Sequence, residues 1–470
     1  MDEAALRNTL DQWGQGHVLR FWDELDAQAR VSFAQQISEI NFPLVEKLID
    51  AWVLNEPAPS ETGTIEPVKV VSPAEHGNLE ADAAWEAGEE ALRAGRVGLV
   101  LVAGGQGTRL GFNGPKGTYP IGPITGRTLF EYTADRILSA QRRYDCSLPW
   151  YIMVGETNEA DTIAFFQKHA FFGLGEENVT FFKQSMMPCV TDAGKFLLES
   201  KGSLAMNPNG HGGSIPAMAD SGILQDARNR GIDTLSYFQV DNWAAQITDP
   251  FFIGYHLQND GELSSKAKRK LDPHEASGVF CLVNGRVQVI EYTELDIYPQ
   301  LLDTDTKGEL LHFAANAATH MISVDFVERV HAAFEQFPWH CSHKKVAHLD
   351  NEGSIVEPDT PNAYKFETFV FDALAYCQRE ALILEIPRLG EFAPAKQLTG
   401  PGGVDEAQAS MAEYWRGWLE AAGCTTPLEG AQIEINPQFA NTKEEFVANA
   451  ARLTWPASGD IAIDADGAFH

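Results

Sequence analysis

The residues best suited to chemistry begin where an apolar run at 97–103 gives way to Gly104-Gly105-Gln106-Gly107-Thr108-Arg109-Leu110-Gly111, with Gly114-Pro115-Lys116-Gly117 a few positions on. Missing side chains let backbone N–H groups approach a polyphosphate closely, while Arg109 and Lys116 add fixed positive charge. The loop is built for an anion. It is neither a Walker A loop, since no G-x-x-x-x-G-K-[ST] aligns, nor a G-x-G-x-x-G dinucleotide turn, which disfavours a P-loop ATPase and a Rossmann dehydrogenase. A second apolar run ends in Phe238-Gln239-Val240-Asp241-Asn242. That places a carboxylate just past a strand, at the carboxyl edge where α/β sheets bind ligands, although an Asp there also serves ordinary turn chemistry.

A cradle for anions stands out against the formal net charge of −31 over 470 residues. Such a surface repels DNA, RNA and anionic lipid, so neither nucleic acid nor membrane is expected as a partner, and phosphates must be held at local basic islands. Six cysteines are scattered without a CxxC pair, which fits a reducing compartment; the N-terminal residues carry no signal-peptide pattern and no stretch is long enough to span a membrane, so the expected location is the cytoplasm. His340, Cys341, His343 and His348 cluster in WHCSHKKVAHLD, but their spacing matches no familiar zinc pattern.

From the loop LVAGGQGTRLGFNGPKG at 101–117 the chain continues through PWYIMVGET (149–157), ENVTFFKQSMMPCV (177–190), PNGHGGSIPAM (208–218) and FQVDN (238–242). VQVIEYTEL (287–295), HKKVAHLD (343–350), KFETFVFDAL (365–374) and EFAPAK (391–396) follow. This ordered set resembles the UDP-sugar pyrophosphorylase family, most closely its UDP-N-acetylhexosamine branch, over nearly the whole chain.

The resemblance implies a uridylyltransferase that takes UTP and a hexose 1-phosphate, with magnesium as cofactor. Arg109, Lys116 and Lys396 would carry the catalytic charge and Asp241 would be the metal ligand. Gly104, Gly105, Gln184, Gly210 and His211 would bind the nucleotide; Gly278, Glu291, Asn316, Lys365, Phe369 and Phe371 would line the sugar side. Phe369 and Phe371 also read as alternate residues packing one strand face. Two places depart from the branch. His211 stands where it typically has Asn, as in the UDP-glucose and broad UDP-sugar branches, and the surroundings of Asn316, FAANAATHM, differ too. N-acetylglucosamine 1-phosphate is the first expected substrate; the alternatives are a glucose-1-phosphate or broad UDP-sugar pyrophosphorylase and, from another class, a catalytically silent UDP-sugar sensor. Monomer and homo-oligomer both stay open.

The elements that must position these residues follow from pattern. Short apolar runs at 97–103, 150–154, 179–182 and 234–240 alternate with helical stretches at 128–142, 158–169 and 214–230, which predicts an α/β sheet. GVFCLV and VQVIEY, joined by Asn284-Gly285, predict a hairpin and a mixed sheet. The expected fold class is therefore α/β, a Rossmann-like nucleotidyltransferase domain over 96–385. It is preceded by a helical N-terminal region, 1–95, in which 55–75 is a Pro-rich connection, and followed by a small β-rich C-terminal domain, 386–470, around a helix at 405–422.

Overall fold

The strand Val97–Val102 is buried along nearly its whole length because it has a parallel neighbour on each side, Trp150–Val154 and Thr234–Gln239. A run apolar on both faces suits that central position. Val179–Lys183 extends the parallel half beyond Trp150–Val154. On the other side the sheet turns antiparallel: Ala314–Ser323 pairs with Thr234–Gln239, and Leu263–Arg269 and Val279–Val283 each pair with Ala314–Ser323. The mixed α/β sheet expected from the sequence is thus present, ten strands among the described residues. The computed structural model describes residues 3–55, 63–72 and 79–470.

Local signals held where they were strong. Helices Leu129–Tyr144 and Glu159–Lys168 stand where helical spacing predicts them, the first opened by a capping box between Thr128 and Glu131. Val279–Val283 and Arg286–Ile290 form the predicted hairpin, with Asn284 and Gly285 both at positive φ as a type I′ turn requires. The stretch 214–230 is two helices, not one, Ser214–Asp220 and Ile223–Asn229, parted at Gly222 (φ 84°). Within the expected connection at 55–75, Ile65–Pro67 forms an edge strand on Val279–Val283, a place where proline costs no ladder bond; Pro57, Pro59 and Pro73 lie outside the described residues.

The contacts group the chain otherwise than by the successive segments 1–95, 96–385 and 386–470. One unit comprises 1–62, 184–216 and 332–373; the other comprises 63–183, 217–331 and 374–470 and holds the whole main sheet. The first has its own core, in which helices Ala27–Ser38 and Phe42–Ile49 contribute Phe33, Ile37, Val45 and Leu48, and the later segments contribute Val190, Phe196, Leu204 and Phe366. The tail after 386 is not β-rich: helices Val404–Ala421 and Lys443–Ala450 dominate it, beside two three-residue strands, Ile433–Ile435 and Ile461–Ile463. Trp415, Trp418, Leu419, Ile433 and Phe446 join the same apolar core as Leu99 and Ile152, so this tail covers the main sheet. No helix among the described residues is long and apolar enough to cross a membrane. All six cysteines are free thiols.

Candidate active site

In the unit that carries the sheet, the glycine-rich loop leaves the carboxyl end of Val97–Val102 and folds back on itself. Gly107 N–H donates to the Gly114 carbonyl at 2.9 Å and Lys116 N–H to that of Gly105 at 3.1 Å. This closure carries Lys116 across to Asp241, whose Oδ2 accepts from Nζ at 3.0 Å, with the two side chains 15% and 18% exposed. Asp241 follows Thr234–Gln239, the parallel neighbour of Val97–Val102, so both charges sit at the carboxyl edge of the sheet. Gly104 is half-buried, and Gly105 and Arg109 are exposed; a Cβ on Gly105 would meet nothing within 4 Å, leaving room for a ligand against the backbone.

Two asparagines that sequence reasoning passed over build this edge. Asn158, 1% exposed, donates from Nδ2 to the carbonyls of Ala103 (2.8 Å) and Gly105 (3.1 Å) and accepts from Gly155 N–H (2.8 Å). By engaging carbonyls at the start of the loop it fixes the backbone whose N–H groups would face phosphate. Asn242, also buried, does the same for EFAPAK: its Oδ1 accepts from Ala393 N–H at 2.9 Å and its Nδ2 donates to the Glu391 carbonyl at 2.8 Å. Ala395 N–H then donates to the Asp241 carbonyl at 2.9 Å, and the exposed Lys396 follows directly. Arg109, Lys116, Asp241 and Lys396 are thus mounted on segments that converge at the ends of adjacent strands. Only the amide of the sequence GETN hinted at Asn158, because an Asn just after a strand is a common local turn former.

On the antiparallel flank of the same sheet, Gly278, Glu291 and Asn316 come together. Asn316 N–H donates to the Gly278 carbonyl at 2.9 Å, and a Cβ on Gly278 would lie 2.6 Å from a Glu291 carboxylate oxygen. Glycine is what lets Glu291 cross there. Asn316 sits at a bulge, where Ala318 takes φ 54° and donates its N–H to the Asn316 Oδ1 at 2.8 Å. The register sets His320 opposite Tyr237, so toward Asn316 this strand runs beside the chain leading to Asp241.

The remaining candidates, Gln184, Gly210, His211, Lys365, Phe369 and Phe371, belong to the other unit. Gln184 is buried and its Nε2 donates to the Gly210 carbonyl at 2.7 Å. Gly210 takes φ 82°, and a Cβ there would stand 2.2 Å from the Thr368 carbonyl oxygen, so no other residue fits without moving backbone. His211 accepts at Nδ1 from Val370 N–H at 3.1 Å and stacks on Phe369, with ring centres 5.3 Å apart; Phe371 is 5.6 Å away. Burial, reinforced by His340, pushes the His211 pKa down to about 4, so the ring is neutral near pH 7 with its proton on Nε2. Phe369 and Phe371 are not alternate residues of a strand: the strand Ala363–Glu367 ends before them, Phe371 lies in the 3-10 helix Val370–Tyr376, and Lys365 stays on the strand in register with Ser342. The histidines of WHCSHKKVAHLD disperse to separate partners: His340 to Asp372 at 2.8 Å, His343 to Asp192 at 3.1 Å, His348 to the Val346 carbonyl. Among the described residues no group of three or more His, Cys, Asp or Glu side chains is placed to hold a metal.

The chain has counterparts among known proteins in sequence and in fold. UDP-N-acetylglucosamine diphosphorylase 2 of Arabidopsis thaliana is 33% identical over 98% of this chain and 94% of its own. UDP-N-acetylglucosamine pyrophosphorylase of Saccharomyces cerevisiae is 33% identical over 92% of this chain and 94% of its own. The crystal structure of the uridine diphosphate N-acetylglucosamine pyrophosphorylase from Trypanosoma brucei, 22% identical, shares the fold with a TM-score of 0.81 over 98% of each chain. Residues 52–400, which include the loop, Asp241 and Lys396, match the family described as UTP–glucose-1-phosphate uridylyltransferase, and it is to this family that the chain belongs.

Proposed function

We propose that the chain is a uridylyltransferase that joins UTP to N-acetylglucosamine 1-phosphate, releasing pyrophosphate and UDP-N-acetylglucosamine. The observation that carries this reading is the Lys116–Asp241 pair at the mouth of the glycine loop, with Lys396 tied to the Asp241 backbone one residue away. The relatives named for UDP-N-acetylglucosamine synthesis, aligned over nearly their whole length, support the choice of sugar. An oxygen of the sugar 1-phosphate forms a bond to the α-phosphorus of UTP as the bridge to the β-phosphate breaks, and that bridging oxygen leaves with pyrophosphate. The attacking oxygen is already an anion, so no general base is needed; the protein positions two repelling anions and offsets charge as it moves onto the leaving group. Arg109, Lys116 and the loop N–H groups serve the triphosphate, and Lys396 serves the sugar phosphate.

Asp241 fits a magnesium ion that arrives with phosphate. It is a single, partly exposed carboxylate, and magnesium is usually held by one or two carboxylates plus phosphate oxygens and water. When bound, the ion would offset negative charge on the phosphate oxygens. Loading of nucleotide and metal would exchange the Lys116–Asp241 pair for separate contacts of each partner. We further propose the cytoplasm as compartment, a reducing setting in which six free thiols persist.

Pyrophosphate release with UTP, magnesium and a panel of sugar 1-phosphates tests the reading. N-acetylglucosamine 1-phosphate should give the highest kcat/KM; glucose 1-phosphate is the competitor that His211 motivates, and the absence of release with every sugar in the panel would sink the proposal. A companion variant addresses the loop. Asn158→Ala strips a buried partner from the Ala103 carbonyl and the Gly155 N–H, each worth about 1–3 kcal/mol when left unsatisfied, while the Gly105 carbonyl keeps Lys116 N–H. It should lower the unfolding midpoint and raise KM for UTP about tenfold, with KM for the sugar phosphate changed by less than about twofold. An unchanged KM for UTP would mean that the loop keeps its shape without this amide.

A further inference from the structure

Along Leu263–Arg269 and just past it, Lys266, Lys268 and Lys270 point to one face of the sheet, and all three are buried. Buried lysines require compensation, and here it is uneven. Lys266 meets two carboxylates, Asp249 at 2.8 Å and Glu391 at 3.0 Å. Lys270 donates to the Pro273 carbonyl at 2.8 Å. Lys268, 1% exposed, has the single carboxylate of Glu275, at 2.5 Å, and Arg388 draws on that carboxylate too, through its other oxygen. The in-register neighbours of Lys268, Ala315 and Ile386, bring no charge. Its ammonium lies 4.7 Å from the ring centre of Phe392, in the segment that ends in Lys396, and Lys396 is near enough to repel it. Lys268 and Arg388 therefore share one carboxylate, with the charge of Lys396 acting on Lys268 as well, a positive island in a chain whose net charge is −31.

We propose that Lys268 is a positioning residue for the sugar 1-phosphate: acting through Phe392 and Lys396, its buried charge draws the incoming phosphate toward Lys396. This rests on the reading of Lys396 as the sugar-phosphate residue. The segment 391–396 is held from beneath at two points, Glu391 on Lys266 and Phe392 against Lys268, and from the strand side by Asn242 and Asp241. A phosphate at Lys396 completes the missing negative charge of the island, which is why an otherwise costly buried cation is tolerated. Glu275 stays ionised, its pKa down to about 2 despite burial, because Arg388 and Lys268 both donate to it. Burial, opposed by the hydrogen bond to Glu275 and reinforced by Arg388 and Lys396, brings Lys268 down to about 8. Its charge is present below that pH and lost above it.

The test is steady-state kinetics of the full chain with UTP, magnesium and N-acetylglucosamine 1-phosphate. Lys268→Met should raise KM for the sugar phosphate about tenfold while kcat and KM for UTP change by less than about twofold, and Lys268→Arg should recover most of the loss. The wild type should show an alkaline fall in kcat/KM for the sugar phosphate near pH 8 that Lys268→Met lacks. If Lys268→Met does not fold, Glu275→Gln carries the test: without its carboxylate partner Lys268 deprotonates sooner, and the alkaline fall moves to lower pH. Lys396→Ala separates the two ideas. A raised sugar-phosphate KM there with none in Lys268→Met overturns the role of Lys268 alone, whereas an unchanged KM in Lys396→Ala removes the reading of Lys396 and this inference with it. Equal loss for UTP and sugar phosphate in Lys268→Met, or an alkaline fall that neither variant moves, also overturns it.

Discussion

Asp241→Ala should lower kcat for UDP-sugar formation by at least about a hundredfold, the scale that accompanies loss of a major electrostatic stabiliser, while UDP-sugar binding falls less. The carboxylate is the one acidic group mounted on the chain that leaves Thr234–Gln239 toward the glycine loop, and its side chain spends its hydrogen bonding on Lys116. Its backbone carbonyl, which anchors Ala395, is untouched by the substitution, so Lys396 keeps its mounting. Folding should therefore survive: both partners are partly exposed, and the freed ammonium can be solvated. Pyrophosphate release gives turnover, titration calorimetry with UDP-N-acetylglucosamine gives binding, and a thermal melt checks the fold. Turnover equal to the wild type would remove Asp241 from the mechanism.

Lys116→Met should have an effect of similar size with a different signature. Removing a cation aimed at the triphosphate should cost about a hundredfold in kcat/KM for UTP, on the scale of a single lost donor to a developing anion. In the same variant Asp241 loses the partner that occupies its Oδ2, so a divalent cation competes for that oxygen with nothing. Affinity for manganese, measured by electron paramagnetic resonance without nucleotide, should accordingly rise by about threefold to tenfold as the competing ion pair disappears. Weaker turnover together with tighter metal binding would mark Lys116 as both phosphate ligand and occupant of the metal position. Unchanged metal affinity would show that the ion pair does not compete with a cation for Asp241.

Much of this site was legible in the sequence, for reasons that can be stated residue by residue. The glycines and Lys116 lie within fifteen positions of one another, and an apolar run followed by Asp241 announces a strand end. Asn284-Gly285 demands positive φ twice in succession, a local requirement that few dipeptides meet. The C-terminal tail was misread in its balance. Its two short apolar pieces do pair as strands, Ile433–Ile435 with Ile461–Ile463, but over three residues each. The helices Val404–Ala421 and Lys443–Ala450 make up most of its regular structure and carry apolar faces into the core of the main sheet.

What the sequence by itself determined is the chemistry available: a glycine-rich loop bearing Arg109 and Lys116, a carboxylate at a sheet edge, further lysines, and the alternation of strand and helix that lines them up. Those properties are local, set by side-chain type and by periods of two and 3.6 residues. What only the tertiary structure decided is how that chemistry is held and balanced. Asn158 reaches back 55 residues to the Ala103 carbonyl, Asn242 forward 151 residues to Ala393, and Lys116 across 125 residues to Asp241. No window of sequence carries such pairings, because their energy comes from satisfying buried backbone groups that meet only once the sheet has formed. Lys268 makes the same point for charge: in sequence it is one lysine among several, and its burial beside a shared carboxylate and Lys396 follows from the strand that carries it.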